Sequence, residues 1–157
     1  MSESARILVI DDEESIRRTI SLTLEHVGYT VDTAENGKQA IEKAEQIFYN
    51  LALIDIRLPD TEGTELLTAL KKTTPRMRKI ILTGYPSLSN AVNAINRGVD
   101  GYLIKPVDSK ELLRMVKEQL AKQREENEYG QARISEHIET RFRELHGEKL
   151  DDPSKPP

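Results

Sequence analysis

The sequence predicts an α/β fold: a doubly wound, five-stranded parallel sheet with helices on both faces, followed by a polar helical extension. Short apolar runs alternate with segments in which apolar residues recur every three or four positions. Three of those runs are nearly all aliphatic, as strands covered on both faces must be. Alternation of this kind builds βαβ units, whose parallel strands need helical crossovers.

The first run is "RILVI", residues 6–10. Ile16, Ile20, Leu24 and Val27 then form one helical stripe, and Gly28 suits a left-handed cap at its end. "YTVDTA", residues 29–34, mixes polar and apolar positions and reads as an edge strand. Ala40, Ile41, Ala44 and Ile47 make the second stripe, and "LALID", residues 51–55, the third strand. Leu66, Leu67 and Leu70 mark the third helix and "KIILT", residues 79–83, the fourth strand. Leu88, Ala91, Val92 and Ile95 mark a fourth helix closed by Gly98. "GYLIK", residues 101–105, is the fifth strand, and Leu112, Leu113, Val116 and Leu120 give the helix that follows.

After Leu120 the chain turns very polar. Ile134, Ile138, Phe142 and Leu145 form a thin helical stripe, with Gly130 as an interruption upstream. Such a stripe packs on the domain, pairs with a second copy or meets a partner. The closing "DDPSKPP" has too little apolar surface to order itself. The domains expected are therefore 5–121 for the α/β unit, 122–148 for a polar helical extension and 149–157 for a disordered tail.

Composition narrows the function. The chain has 157 residues and a net charge of −4, which argues against a protein built to coat nucleic acid. It has no cysteine, so disulfides, thiol nucleophiles and thiolate metal sites are excluded. The three histidines have no metal-ligand spacing. No signal peptide or run of roughly 18 apolar residues is visible, so a cytoplasmic location is expected.

The chemistry gathers at strand ends. Asp11 and Asp12 end the first strand, Asp55 the third, Thr83 and Gly84 the fourth, Lys105 and Pro106 the fifth. A parallel sheet brings all of these to one rim, where open α/β sheets bind ligands. Three adjacent carboxylates cannot all stay ionised cheaply, so one pKa rises or a cation binds. Donors that are all oxygen point to a hard cation, and Mg²⁺ needs only one or two carboxylates beside phosphate oxygens. A divalent ion, a lysine and a hydroxyl around one carboxylate are parts that phosphoryl transfer uses. Asp12 followed by Glu13 and Glu14 is also compatible with a plain helix cap.

The segments "IDDEE", "LIDIRLPDTEGTELL", "ILTGY" and "GYLIKPVDSKELL", in this order, resemble a response-regulator receiver domain over residues 5–121. The resemblance implies a two-component signalling switch in which Asp55 accepts a phosphoryl group from a sensor histidine kinase. It implies Mg²⁺ held by Asp12 and Asp55, by Asp11 through water, and by the backbone carbonyl of Arg57. Lys105 would contact the phosphoryl group, Thr83 would swing toward it, and Tyr102 would move inward as an aromatic switch. A cis Lys105–Pro106 bond and a role for Gly63 at the next helix are implied as well. Gly84 departs from the alanine more usual there, and Arg57 and Tyr85 occupy variable positions.

A stand-alone signalling receiver, not an enzyme, is the reading for the whole chain. No helix-turn-helix pattern follows Leu120, so no direct DNA binding is expected. Two kinds of contact stand open for the output: a homodimer, through the face of the fourth helix, fifth strand and fifth helix or through the C-terminal helix, and a different downstream protein. Two alternatives stand beside this: an intermediate phosphorelay carrier, and a Mg²⁺-dependent phosphohydrolase with Asp60, five residues after Asp55, as general acid.

Overall fold

The computed structural model describes residues 4–84 and 98–147, and within these the side chains of 63, 64, 129–134, 146 and 147 are left out. The expected helix over 88–95, Tyr85, the Ile134 side chain and the tail from 149 lie outside the described residues. Two compact units divide the chain, Met1–Gln123 and Arg124–Pro157.

In the first unit, β1 (Arg6–Ile10), β2 (Thr30–Ala34), β3 (Leu51–Asp55), β4 (Arg78–Thr83) and β5 (Gly101–Ile104) form one sheet. Its order is β2-β1-β3-β4-β5, and every pairing is parallel. The mixed-polarity strand β2 is at an edge, as its composition requires. Helices α1 (Glu14–His26), α2 (Gly37–Gln46) and α3 (Gly63–Thr73) connect the strands, and α4 (Ser109–Phe142) follows β5.

Two apolar clusters sandwich the sheet. Strand alternation sends Leu8, Ile10, Ala52 and Ile54 to one face, where they meet Ala40, Ala44, Leu66, Leu67 and Leu70 of α2 and α3. Ile7, Val9, Leu51 and Leu53 go to the other and meet Ile20 and Leu24 of α1 with Leu112, Val116 and Leu120 of α4. Each fully buried aliphatic side chain stabilises the fold by about 1.5–3 kcal/mol.

Some expected core positions fall outside it. Val27 and Ile47 extend their stripes in sequence, yet they are 50% and 37% exposed because each is the residue at which its helix ends. Gly28, with φ of 104°, and Gly98, with φ of 87°, take the left-handed conformation expected of them.

Gly130 does not interrupt the helix that carries it. α4 is continuous from Ser109 to Phe142 and passes into a π turn, Arg143–Gly147. One glycine in a helix costs only about 1 kcal/mol relative to alanine. In the second unit Ile138, Phe142 and Leu145 are 61%, 63% and 60% exposed, with Leu145 in the π turn.

Candidate functional site

Asp11, Asp12 and Asp55 meet at the carboxyl ends of β1 and β3, which are adjacent in the sheet. One carboxylate oxygen from each lies within 4.8 Å of the others. Order reverses here: β2 lies on one side of β1 and β3 on the other, and such a switch point opens a crevice between the flanking loops.

Asp11 is fully buried. Its Oδ1 accepts from the Glu13 backbone N–H at 2.9 Å, and its own carbonyl accepts from Arg17 Nη1 at 2.7 Å. Asp12 is exposed and is not the cap of α1; that position belongs to Glu13, whose side chain makes no capping bond. Of the acid run, Asp11 and Asp12 join the Asp55 cluster while Glu13 and Glu14 begin α1, and Asp11 braces the turn into the helix.

Asp55, the last residue of β3, is 6% exposed. Its Oδ1 accepts from the Arg57 backbone N–H at 3.0 Å. Lys105, just past β5, reaches both buried acids, with Nζ 2.8 Å from Asp11 Oδ2 and 3.4 Å from Asp55 Oδ2. The Asp11 contact is the closer of the two ion pairs. Thr83 ends β4, fully buried, and its carbonyl accepts from the Lys105 backbone N–H at 2.7 Å. The Lys105–Pro106 peptide is cis.

Charge in this crevice is unbalanced. Burial, aided by the neighbouring Asp11 charge, pushes the Asp55 carboxyl up to about 6 against the pull of the Arg57 N–H and Lys105. Burial works to lower the Lys105 ammonium, but the two carboxylates outweigh it and hold it above the usual lysine value. One lysine against three carboxylates leaves room for further positive charge. The donor set, all carboxylate oxygen, fits Mg²⁺ and an aspartyl phosphate beside it.

Tyr102 is half-buried against the Leu8–Ile10 side of the core. Its hydroxyl is buried without a hydrogen-bond partner among the described residues. Gly84 is next to Lys105, and a Cβ there would meet nothing nearer than Lys105 Cβ at 4.0 Å.

Asp60 is not a free acid. Its carboxylate accepts from the backbone N–H groups of Gly37 at 2.8 Å and Lys38 at 3.0 Å. Those donors, Gly37 first, hold it below the usual carboxylate range, which is the wrong direction for a general acid.

At the opposite rim is a polar network that the sequence patterns did not single out. Lys79 is 3% exposed, and its ammonium donates to the carbonyls of Met77 and Thr74. Gln123 donates to the carbonyls of Asn50 and Arg76, and Gln119 to that of Asp100. Two glutamines one turn apart beside Val116 and Leu120 were the available signal.

Known proteins sharpen the picture. Residues 7–117 match the family model described as the response regulator receiver domain. The chain is 38% identical over 118 residues to the transcriptional regulatory protein ResD of Bacillus subtilis, covering 74% of this chain and 48% of that one. It is 39% identical over 119 residues to the transcriptional regulatory protein ZraR of Klebsiella oxytoca, covering 76% of this chain and 27% of that one. The chain thus spans about half or less of these curated relatives. A crystal structure of a CheY-like receiver domain protein from Methanospirillum hungatei superposes with a TM-score of 0.77 at 45% identity, covering 79% of this chain and 99% of that one. The beryllofluoride-activated NtrC4 receiver domain dimer gives 0.72 at 34% identity, covering 75% and 98%. Among the described residues no helix is long and apolar enough to cross a membrane. With its five-stranded parallel sheet, its acid trio and a family match across most of its length, the chain belongs to the response regulator receiver domain family of two-component systems.

Proposed function

We propose that Asp55 is the phosphoacceptor of this receiver, taking a phosphoryl group from the phosphohistidine of a sensor histidine kinase in the cytoplasm. The observation that carries this is the single rim shared by three acids, Lys105 and Thr83. An Asp55 carboxylate oxygen attacks phosphorus in line, the nitrogen–phosphorus bond breaks, and the leaving imidazole is protonated. Asp11, Asp12, Asp55 and the carbonyl of Arg57 would hold Mg²⁺, which supplies charge neutralisation for the phosphoryl oxygens. Lys105 adds a fixed positive charge that already stands between Asp11 and Asp55.

Transfer replaces a carboxylate by a more highly charged group with three acceptor oxygens. Thr83 then offers its hydroxyl to the new oxygens. Tyr102, with its hydroxyl unsatisfied, moves inward, changing the surface around β5 and shifting an association equilibrium. Ile104, 53% exposed on β5, and the Ile138, Phe142 and Leu145 stripe are the two surfaces proposed for self-association. The curated relatives ResD and ZraR are named transcriptional regulators. Within residues 1–157 we read the output as protein contact, not DNA contact. The engagement of Asp60 removes the support for a phosphohydrolase.

Light scattering after size exclusion tests the switch, with Mg²⁺ alone and then with Mg²⁺ plus beryllofluoride. A doubling of mass with the phosphoryl mimic is expected. An unchanged mass, together with no change in amide exchange around Tyr102, contradicts the switch.

A further inference from the structure

The loop that follows Asp55 is pinned at both ends. At its root, the Ile56 N–H donates to the Leu82 carbonyl at 3.0 Å and the Arg57 N–H to Asp55 Oδ1. The loop then closes on itself, with the Leu58 N–H donating to the Thr61 carbonyl at 3.2 Å and a bridge between Arg57 and Glu62. Pro59 and Asp60 form its tip. From there the Asp60 carboxylate takes the N–H groups of Gly37 and Lys38 at the start of α2.

This is more than an ordinary helix cap. α2 already has one in Asn36, whose Oδ1 accepts from the Gln39 N–H at 2.8 Å. Asp60 comes from a different loop and satisfies the two first-turn donors that Asn36 leaves over. The approach is close enough to crowd any side chain opposite. A Cβ on Gly37 would stand 2.5 Å from Thr61 Cγ2, closer than real Cβ atoms come, and 3.3 Å from Asp60 Oδ1, a tight contact. A side chain at 37 would have to displace the Thr61 methyl group; its φ is not in the left-handed region, so what glycine supplies here is space.

We infer that Asp60 is a positioning residue, clasping the loop that follows Asp55 and carries the Arg57 carbonyl to the start of α2, and so setting the geometry in which the acid trio receives a cation. The inference rests on the reading that this trio takes Mg²⁺. Asp60 touches neither the cation nor the phosphoryl group. It acts through the backbone of a closed loop of about seven residues. α2 becomes a lever on the site, because a shift of its first turn is passed to Arg57 through Asp60.

Titration calorimetry with Mg²⁺ and amide hydrogen exchange of metal-free protein test this on the full chain. Asp60→Ala is expected to weaken Mg²⁺ about fivefold, below the ten- to hundredfold typical of groups that hydrogen-bond a ligand directly. It is also expected to speed exchange across 57–62, while Asp60→Asn, with one acceptor oxygen kept, falls between. Gly37→Ala should reproduce the loss with Asp60 intact, and adding Thr61→Ser, which removes the clashing methyl group, should restore affinity. An affinity and exchange pattern unchanged in both Asp60→Ala and Gly37→Ala overturns the clasp. If the unmodified chain itself takes up no Mg²⁺, the reading of the trio fails, and exchange across 57–62 alone then decides whether Asp60 holds the loop.

Discussion

Lys79, buried, and Lys105, half-buried, stand at opposite ends of one sheet, and the protein treats them in opposite ways. At the amino end, the Lys79 ammonium donates to the carbonyls of Met77, at 2.7 Å, and Thr74, at 3.0 Å. Its backbone N–H reaches Asp100 Oδ2, which belongs to a carboxylate already paired with Arg78. Burial lowers the Lys79 pKa more than Asp100 raises it. At the carboxyl end, Lys105 faces two buried carboxylates and a third, exposed one nearby, and its pKa is raised. Neutral carbonyls around a lysine complete a structure. Acids in excess around a lysine keep a demand for positive charge, and that demand is what a cation and a phosphoryl group can use.

The widest separation between the two ends is expected from parallel substitutions of the lysines. Lys105→Met should slow phosphoryl uptake at Asp55 by about a hundredfold or more, the loss of one preorganised charge. Its metal-free stability should recover when Mg²⁺ is added. Lys79→Met leaves two carbonyls without their donor and should cost about 2–4 kcal/mol in urea melts, with no Mg²⁺ rescue and an unchanged transfer rate. Equal effects of the two on transfer would erase the distinction.

Next in size is the pH response of Asp55. Its carboxyl is raised from 3.8 to about 6 in the fold, so the native state binds this proton more tightly than the unfolded chain does. Stability from this group is fully present below about pH 4 and is lost as pH rises through about 6. Metal-free Asp55→Asn should therefore be more stable than the parent at pH 7.5, by about 1–3 kcal/mol, with the gap closing toward pH 4. Mg²⁺ should close it at pH 7.5 by stabilising the parent. Thermal melts in chelator and in Mg²⁺ read both.

At the amino end, Gln123→Ala removes two bonds to carbonyls and should cost about 1–2 kcal/mol without moving Mg²⁺ affinity. The smallest effect is expected of Gly84→Ala. Its Cβ finds open space beside Lys105, so melting should stay within about 0.5 kcal/mol of the parent.

Legibility followed the same division. Strands β1, β3 and β4 are buried on both faces, which forces continuous aliphatic runs that can be read directly. Asp11, Asp55, Thr83 and Lys105 were legible because a parallel sheet must bring its strand ends to one rim. Val27 and Ile47 misled because periodicity does not see where a helix stops. Asp12, expected at the metal site, was also compatible with a cap, but the backbone enters α1 one residue later. Asp60 was weighed only as an acid near Asp55, because its partners lie 23 and 22 positions away and meet it only through the fold. Gln119 and Gln123 hid in the same way: their partners are backbone carbonyls, which leave no mark on sequence.

The most direct test is to find the phosphoryl group. The chain is incubated with a small phosphoramidate donor, with and without Mg²⁺, reduced with borohydride to trap any acyl phosphate, and mapped by peptide mass spectrometry. One label, on Asp55, present with Mg²⁺ and absent without it, is the predicted result. A label on another residue, or undiminished labelling of Asp55→Ala, would contradict the account.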